Sequence, residues 1–152
     1  MIYVECYPDT VLVLTLTRLP QREVIHENGK GGVVNRVKNS RNSRGLVDED
    51  PMTTQPTYIG TMTVLEDLPA SGLRLLHDSA RGNHIVVLCP RLEEWTVRAA
   101  RDTGIDLSRY NLPNDPTRLH QVVNDYLSSF QRLVEDLRDS DRLRDLHNLL
   151  NL

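Results

Sequence analysis

Short apolar runs alternate with helical spacing through the first fifty residues. Met1-Ile2-Tyr3-Val4-Glu5 predicts a buried strand with Glu5 at its carboxyl end. Pro8 and Asp9 then suit a helix start, and Val11, Leu12, Leu14, Leu16 and Leu19 give that helix an apolar face that Pro20 closes. Arg22 to His26 predicts a second strand. The glycine-rich turn Asn28-Gly29-Lys30-Gly31-Gly32 precedes a second helix carrying Val33, Val34 and Val37. Leu46-Val47 is the third strand, and it runs straight into Asp48-Glu49-Asp50-Pro51. Strand, helix, strand, helix, strand in so short a span predicts a parallel sheet with right-handed crossovers.

Beyond Pro51 the pattern changes. Residues 52–60 are polar and predict a loop, Thr61 to Leu65 a short edge strand, and Glu66 to Pro69 a turn. Leu73 to His77 and His84 to Cys89 predict strands joined by a polar turn, and Pro90 opens a helix from Leu92 to Thr103. From Pro116, Leu119, Val122, Val123, Tyr126, Leu127, Phe130, Leu133, Val134 and Leu137 keep helical spacing and predict one long amphipathic helix. A second helix carries Leu143, Leu146, Leu149 and Leu150, capped by Ser140 or Asp141. These helices either cover the sheet domain or, as a leucine-ended hairpin, bind a partner or make a homo-oligomer. The expected organisation is an α/β domain over residues 1–112 with a helical extension over 113–152.

Composition narrows the chemistry. With 152 residues and 39% hydrophobic content, the chain is long enough for one real core. A net charge of -3 argues against a generally basic nucleic-acid coat. Arginine is abundant and lysine scarce, which favours bidentate recognition of phosphate or carboxylate. Cys6 and Cys89 each adjoin an apolar run and read as buried, reduced thiols; no CxxC or Cys/His cluster suggests zinc. No leader or membrane-length apolar run is present, so a cytoplasmic location with no membrane partner is expected. The histidines form no nucleophilic triad, although His26 and His77 stand at predicted strand ends.

The acids supply the most specific signal. Alternation along a strand puts Asp48 and Asp50 on one side, where two carboxylates repel unless a cation lies between them, and hard oxygen ligands suit Mg²⁺ or Mn²⁺. A turn bearing solvated acids is the simpler account of Asp-x-Asp alone. Ligands of open α/β sheets bind beyond the strands' carboxyl ends, and Glu5, Asp48 and Asp50 all fall at such ends.

Val4-Glu5-Cys6-Tyr7-Pro8-Asp9 followed by Leu46-Val47-Asp48-Glu49-Asp50 resembles the Toprim domain, where a strand-end glutamate is followed, after helix-strand-helix, by a strand-end Asp-x-Asp. The likeness spans roughly the first two thirds of the chain. It implies a Rossmann-like, mainly parallel sheet flanked by helices and a Mg²⁺- or Mn²⁺-dependent phosphoryl-transfer or phosphodiester-cleaving site. Glu5 would be general acid/base or metal ligand, and Asp48 and Asp50 metal ligands. Cys6 stands where family members usually carry glycine.

The Pro90 helix start, with Glu93, Glu94 and Trp95, is similar to Toprim nucleases of the overcoming-lysogenisation-defect class. One of Glu93 and Glu94 could therefore supply a further ligand, although acids also favour a helix amino end for electrostatic reasons, and Asp9 in the Glu5 motif is another candidate ligand. The resemblance further implies nucleic acid as substrate and an ATPase partner in repair or phage defence. Topoisomerases place their tyrosine nucleophile in a separate domain that this chain lacks, so Tyr7 is not expected to serve as one. Lys30, Arg36, Lys38, Arg41 and Arg44 add five positive charges with no acid among them, either a phosphate-docking segment or a solvated helix face. A metal-dependent nuclease is the expected function, and a non-catalytic binding subunit weakened at Cys6 is the alternative.

Overall fold

The computed structural model describes residues 1–151. Strands β1 (Ile2–Val4), β2 (Val24–His26), β3 (Arg44–Asp48), β4 (Thr63–Leu68), β5 (Leu73–Asp78) and β6 (Asn83–Leu88) form one six-stranded sheet in the order β2-β1-β3-β6-β5-β4. β2, β1, β3 and β6 run parallel; β5 and β4 add an antiparallel margin. Helices α1 (Tyr7–Thr17), α2 (Gly29–Lys38), α3 (Thr57–Thr61), α4 (Leu92–Asp102), α5 (Pro116–Val122), α6 (Leu127–Leu137) and α7 (Asp141–Leu150) flank it. The protein is thus an α/β fold with a mixed sheet. Among the described residues no helix is long and apolar enough to cross a membrane.

Alternation along the strands divides the core in two. Ile2, Val4, Leu46, Leu73, Leu75, Val86 and Leu88 face α1 and α4 to α7, while Tyr3, Val47, Leu76, Ile85 and Val87 face α2 and α3. Close approach of α2 needs Gly45, because a Cβ there would lie 3.0 Å from Val33 and 3.1 Å from Val37. Pro8 costs α1 nothing, since the first-turn N–H it lacks has no helical partner.

Several expectations change. β4 continues through Glu66 and Asp67, which were expected to turn; both lie on an exposed edge strand where acids remain solvated, and the turn falls at Pro69–Ser71. The expected loop contains α3, anchored by buried Tyr58. The long helix from Pro116 is broken: a 3₁₀ turn at Val123–Asp125 and Tyr126 at φ -131°, ψ 42° separate α5 from α6. β-branched Val122 and Val123 followed by Asn124 and Asp125 are weak helix formers, and the break lets α5 pack on α4 while α6 packs on α1. The apolar spacing survives it because a 3₁₀ turn also repeats every three residues. Ser140 caps α7, accepting the Leu143 N–H at 3.4 Å.

The helices after residue 112 share one buried cluster with β1, β3 and Trp95, so no break in packing separates them from the sheet; Leu152 of the expected extension lies outside the described residues. Leu143, Leu146, Leu149 and Leu150 are spent inside that cluster, which removes the stripe that suggested a partner or homo-oligomer contact. Cys6 and Cys89 are free and half-buried rather than fully buried.

Candidate functional site

Adjacent strands bring the acids together. β1 pairs with β3 so that Val4 lies opposite Leu46, and at the carboxyl edge Glu5 Oε2 accepts the Asp48 backbone N–H at 2.5 Å. Asp48 in turn points at the amino end of α4, its Oδ1 accepting the Leu92 N–H at 3.0 Å. Asp50 turns back in the left-handed region at φ 45° and meets Arg91, Oδ1 to Nε 2.8 Å. Glu49, between them, faces the other side and binds Arg74 at 2.7 Å, as alternation requires.

The fourth wall comes from α5. His120 Nδ1 lies 2.8 Å from Glu93 Oε1, and Arg91 Nη1 lies 3.5 Å from Glu94 Oε1. Glu5, Asp48, Asp50, Glu93 and Glu94 all line a cleft of about 560 Å³ that Arg91 and His120 help to close. Asp9 stands behind it in the first turn of α1, 1% exposed, with Oδ1 lacking any partner.

Burial and mutual repulsion set the electrostatics. Burial, outweighing the Asp48 N–H bond and reinforced by Asp50, lifts Glu5 from 4.5 to about 7. Asp9 rises from 3.8 to about 8 through burial and then the nearby Glu5. Asp48 rises to about 9 through burial, then Asp9, Glu5 and Glu93. Burial followed by Asp9 also pushes the Cys6 thiol up, leaving it a neutral, poor nucleophile. Cys6 itself sits at φ -150°, ψ 170°, an extended conformation any residue adopts, so the position makes no demand for glycine.

The basic segment does not act as one patch. Lys30, in the first turn of α2, lies beside the acidic edge and donates to the Glu49 carbonyl at 2.8 Å and Gln55 Oε1 at 2.6 Å. Because α2 runs back across the sheet, Lys38 ends at the opposite edge, followed by exposed Arg41; Arg44 opens β3 there and donates to the Leu150 carbonyl. Arg36, in the last turn of α2, pairs with Glu27 at 3.5 Å and covers the Tyr3 ring. His77 stacks on His84 at that far edge, because β5 is antiparallel, whereas His26 does end at the acidic edge. Sequence reasoning missed Arg91 and His120. Arg91 had a signal, directly before the acidic helix start; His120 had none, since only the break before α6 brings α5 to the cleft.

The lining is chemically of the kind a hard divalent cation takes, carboxylates with raised proton affinity clustered at one cleft. The carboxylates are not gathered about one point, however. Among the described residues no group of three His, Cys, Asp or Glu side chains stands ready to hold a metal, because Glu5 and Asp48 are turned to backbone N–H groups and Asp50 to Arg91. Comparison with family models, curated proteins and solved structures gave no match.

Proposed function

We propose that the protein is a Toprim-like, metal-dependent nuclease that hydrolyses phosphodiester bonds of nucleic acid, using Mg²⁺ or Mn²⁺ held by Glu5, Asp48 and Asp50. The observation that carries this reading is the hydrogen bond from the Asp48 N–H to Glu5 Oε2: the strand-end glutamate and the Asp-x-Asp meet at the carboxyl edge of adjacent parallel strands. When bound there, such an ion polarises a phosphodiester oxygen and acidifies a water. Asp48 is oriented for the role by the Leu92 N–H, and Asp9 behind it adds negative potential without facing the cleft. Arg91 offers a guanidinium at the cleft for phosphate, and Glu93 fixes His120 through Nδ1, which leaves Nε2 for proton exchange. An ATPase partner belongs to the same proposal.

Cleavage of mixed DNA and RNA in Mg²⁺ or Mn²⁺, with calorimetric titration of each ion, tests the reading. Activity and ion binding in the wild type, both lost in Glu5→Ala and Asp48→Ala, support it. Arg91 seated on Asp50 favours a second reading, a non-catalytic subunit of Toprim-like fold. A wild type that neither binds the ions nor cuts would select that reading.

A further inference from the structure

Tyr7 and His26 form an aromatic stack that stays open to solvent beside the acidic cleft. Their rings stack at 4.3 Å between centroids and 9° between planes, yet Tyr7 is 58% exposed and His26 is exposed as well. Tyr7 opens α1 directly after Cys6, which lines the acidic cleft, and His26 ends β2 three residues before Gly29, which also lines it. β2 pairs with β1 so that His26 lies opposite Val4, the residue before Glu5. The stack therefore stands on the rim of the carboxyl edge, beside the acids.

Area burial alone does not account for it, because both rings stay open to solvent; the ring–ring contact itself contributes about 0.5–1.5 kcal/mol and leaves an aromatic face free. A flat, exposed π-face beside a phosphodiester site is suited to an unpaired nucleobase, which stacks on it whatever its sequence. In a duplex the base faces are already covered by their neighbours and are not offered to a protein surface. The geometry points to single-stranded nucleic acid, DNA or RNA, as the substrate class, with one base stacked on Tyr7, His26 backing the ring, and the adjoining phosphodiester led to the cleft. This rests on the nuclease reading for the chemistry, but the stacking itself does not.

The test is binding of short labelled single strands and of the matching duplex, with Ca²⁺ in place of Mg²⁺, read by anisotropy and by the quenching of 2-aminopurine placed in the strand. Tyr7→Leu keeps apolar bulk and removes the ring; it should weaken single-strand binding about tenfold, abolish the quenching and leave duplex binding unchanged. Tyr7→Trp should restore both single-strand signals. An unchanged single-strand Kd in Tyr7→Leu, an equal loss on duplex, or a wild type that binds no single strand would each overturn the inference. The two readings fail separately. Tyr7-dependent binding without Mg²⁺- or Mn²⁺-dependent cleavage sinks only the nuclease, whereas Glu5-dependent cleavage that is indifferent to Tyr7 sinks only the stack.

Discussion

Asn83 and Asp9 are both sealed from solvent, at 0% and 1% exposure, at opposite edges of one sheet. Asn83, at the amino end of β6, is fully matched: Oδ1 accepts the Ser43 N–H and hydroxyl, both at 3.1 Å, and Nδ2 donates to the carbonyls of Val37 and Ser40 and to Tyr58 Oη. Tyr58 in turn donates its O–H to Asp78 Oδ2 at 2.8 Å. Asp9, at the carboxyl edge, has one oxygen without a partner and Glu5 as an electrostatic neighbour. Polar groups at the amino edge thus stabilise one another, while those at the carboxyl edge are held in surplus. A protein carries such a surplus where something else is meant to bind.

The largest effect of a single substitution should come from breaking the matched edge. Asn83→Ala leaves the buried Ser43 N–H without its partner and strips the amide from the Ser43 hydroxyl and the Val37 and Ser40 carbonyls, of which Val37 keeps the Ser40 N–H, and should cost about 3–5 kcal/mol of stability. Urea unfolding measures it, and ion binding at the other edge should be unchanged in the folded fraction. A cost below about 1 kcal/mol would mean that water replaces the amide there and that the two edges differ less than their bonding suggests.

The unmatched edge should instead show itself in pH. Glu5, Asp9 and Asp48 hold protons in the native state up to about 7, 8 and 9, whereas the unfolded chain releases them near 4. Across that interval the native state binds more protons than the unfolded chain, so the stability these three groups contribute is full below about pH 4 and is lost as pH rises to 9. Glu5 alone contributes about 3 kcal/mol of the fall, or roughly 6–12 °C in Tm. Melting curves at pH 5, 7 and 9 measure it, and a divalent cation should reduce the fall by binding the ionised acids. A flat profile would remove the case for a strained edge.

Next in size is Asp9→Asn, which swaps a buried acid for a neutral group of the same shape. It should stabilise the fold, and by clearly more at pH 8.5 than at pH 5, because the native wild type keeps a proton that the unfolded chain releases near 4 and the cost of keeping it grows with pH up to about 8. Thermal melts of the variant at the two values decide. Equal effects at both would assign Asp9 to ordinary packing.

Much of this contrast was legible in the residues. Alternation in β1 and β3 set which side Asp48 and Asp50 share, and the order of strand-end acids gave the site its address. Asp9 was legible as a candidate but not as a residue behind the cleft, since only the α1 turn decides that. The direction of α2 dispersed the basic segment: Lys30, Arg36 and Lys38 are spread along a helix axis that crosses the sheet, and Arg41 and Arg44 follow at its far edge. His120 reached the cleft through a break in the helix at Tyr126 that periodicity does not register, because α-helical and 3₁₀ turns both return apolar residues at a spacing of three or so.

The smallest expected effect on stability is also the sharpest probe of the surplus. Arg91 pairs with Asp50 at 2.8 Å and with Glu94 at 3.5 Å from a side chain 41% exposed, so the pairs are well screened and Arg91→Ala should cost about 0.5 kcal/mol or less. Its effect on ion binding should be larger and of the opposite sign. With the guanidinium gone, Asp50 is released toward the cleft and the local negative potential rises, so Mg²⁺ or Mn²⁺ should bind several-fold more tightly. Phosphate-bearing strands should bind more weakly, because the cleft loses its guanidinium. Calorimetric titration of each ion and of a single strand into the variant separates the two roles. Tighter ion and weaker strand binding would identify Arg91 as a cation that holds the metal's place and then meets the substrate; weaker ion binding would mean that it orients Asp50 and that the cluster depends on it.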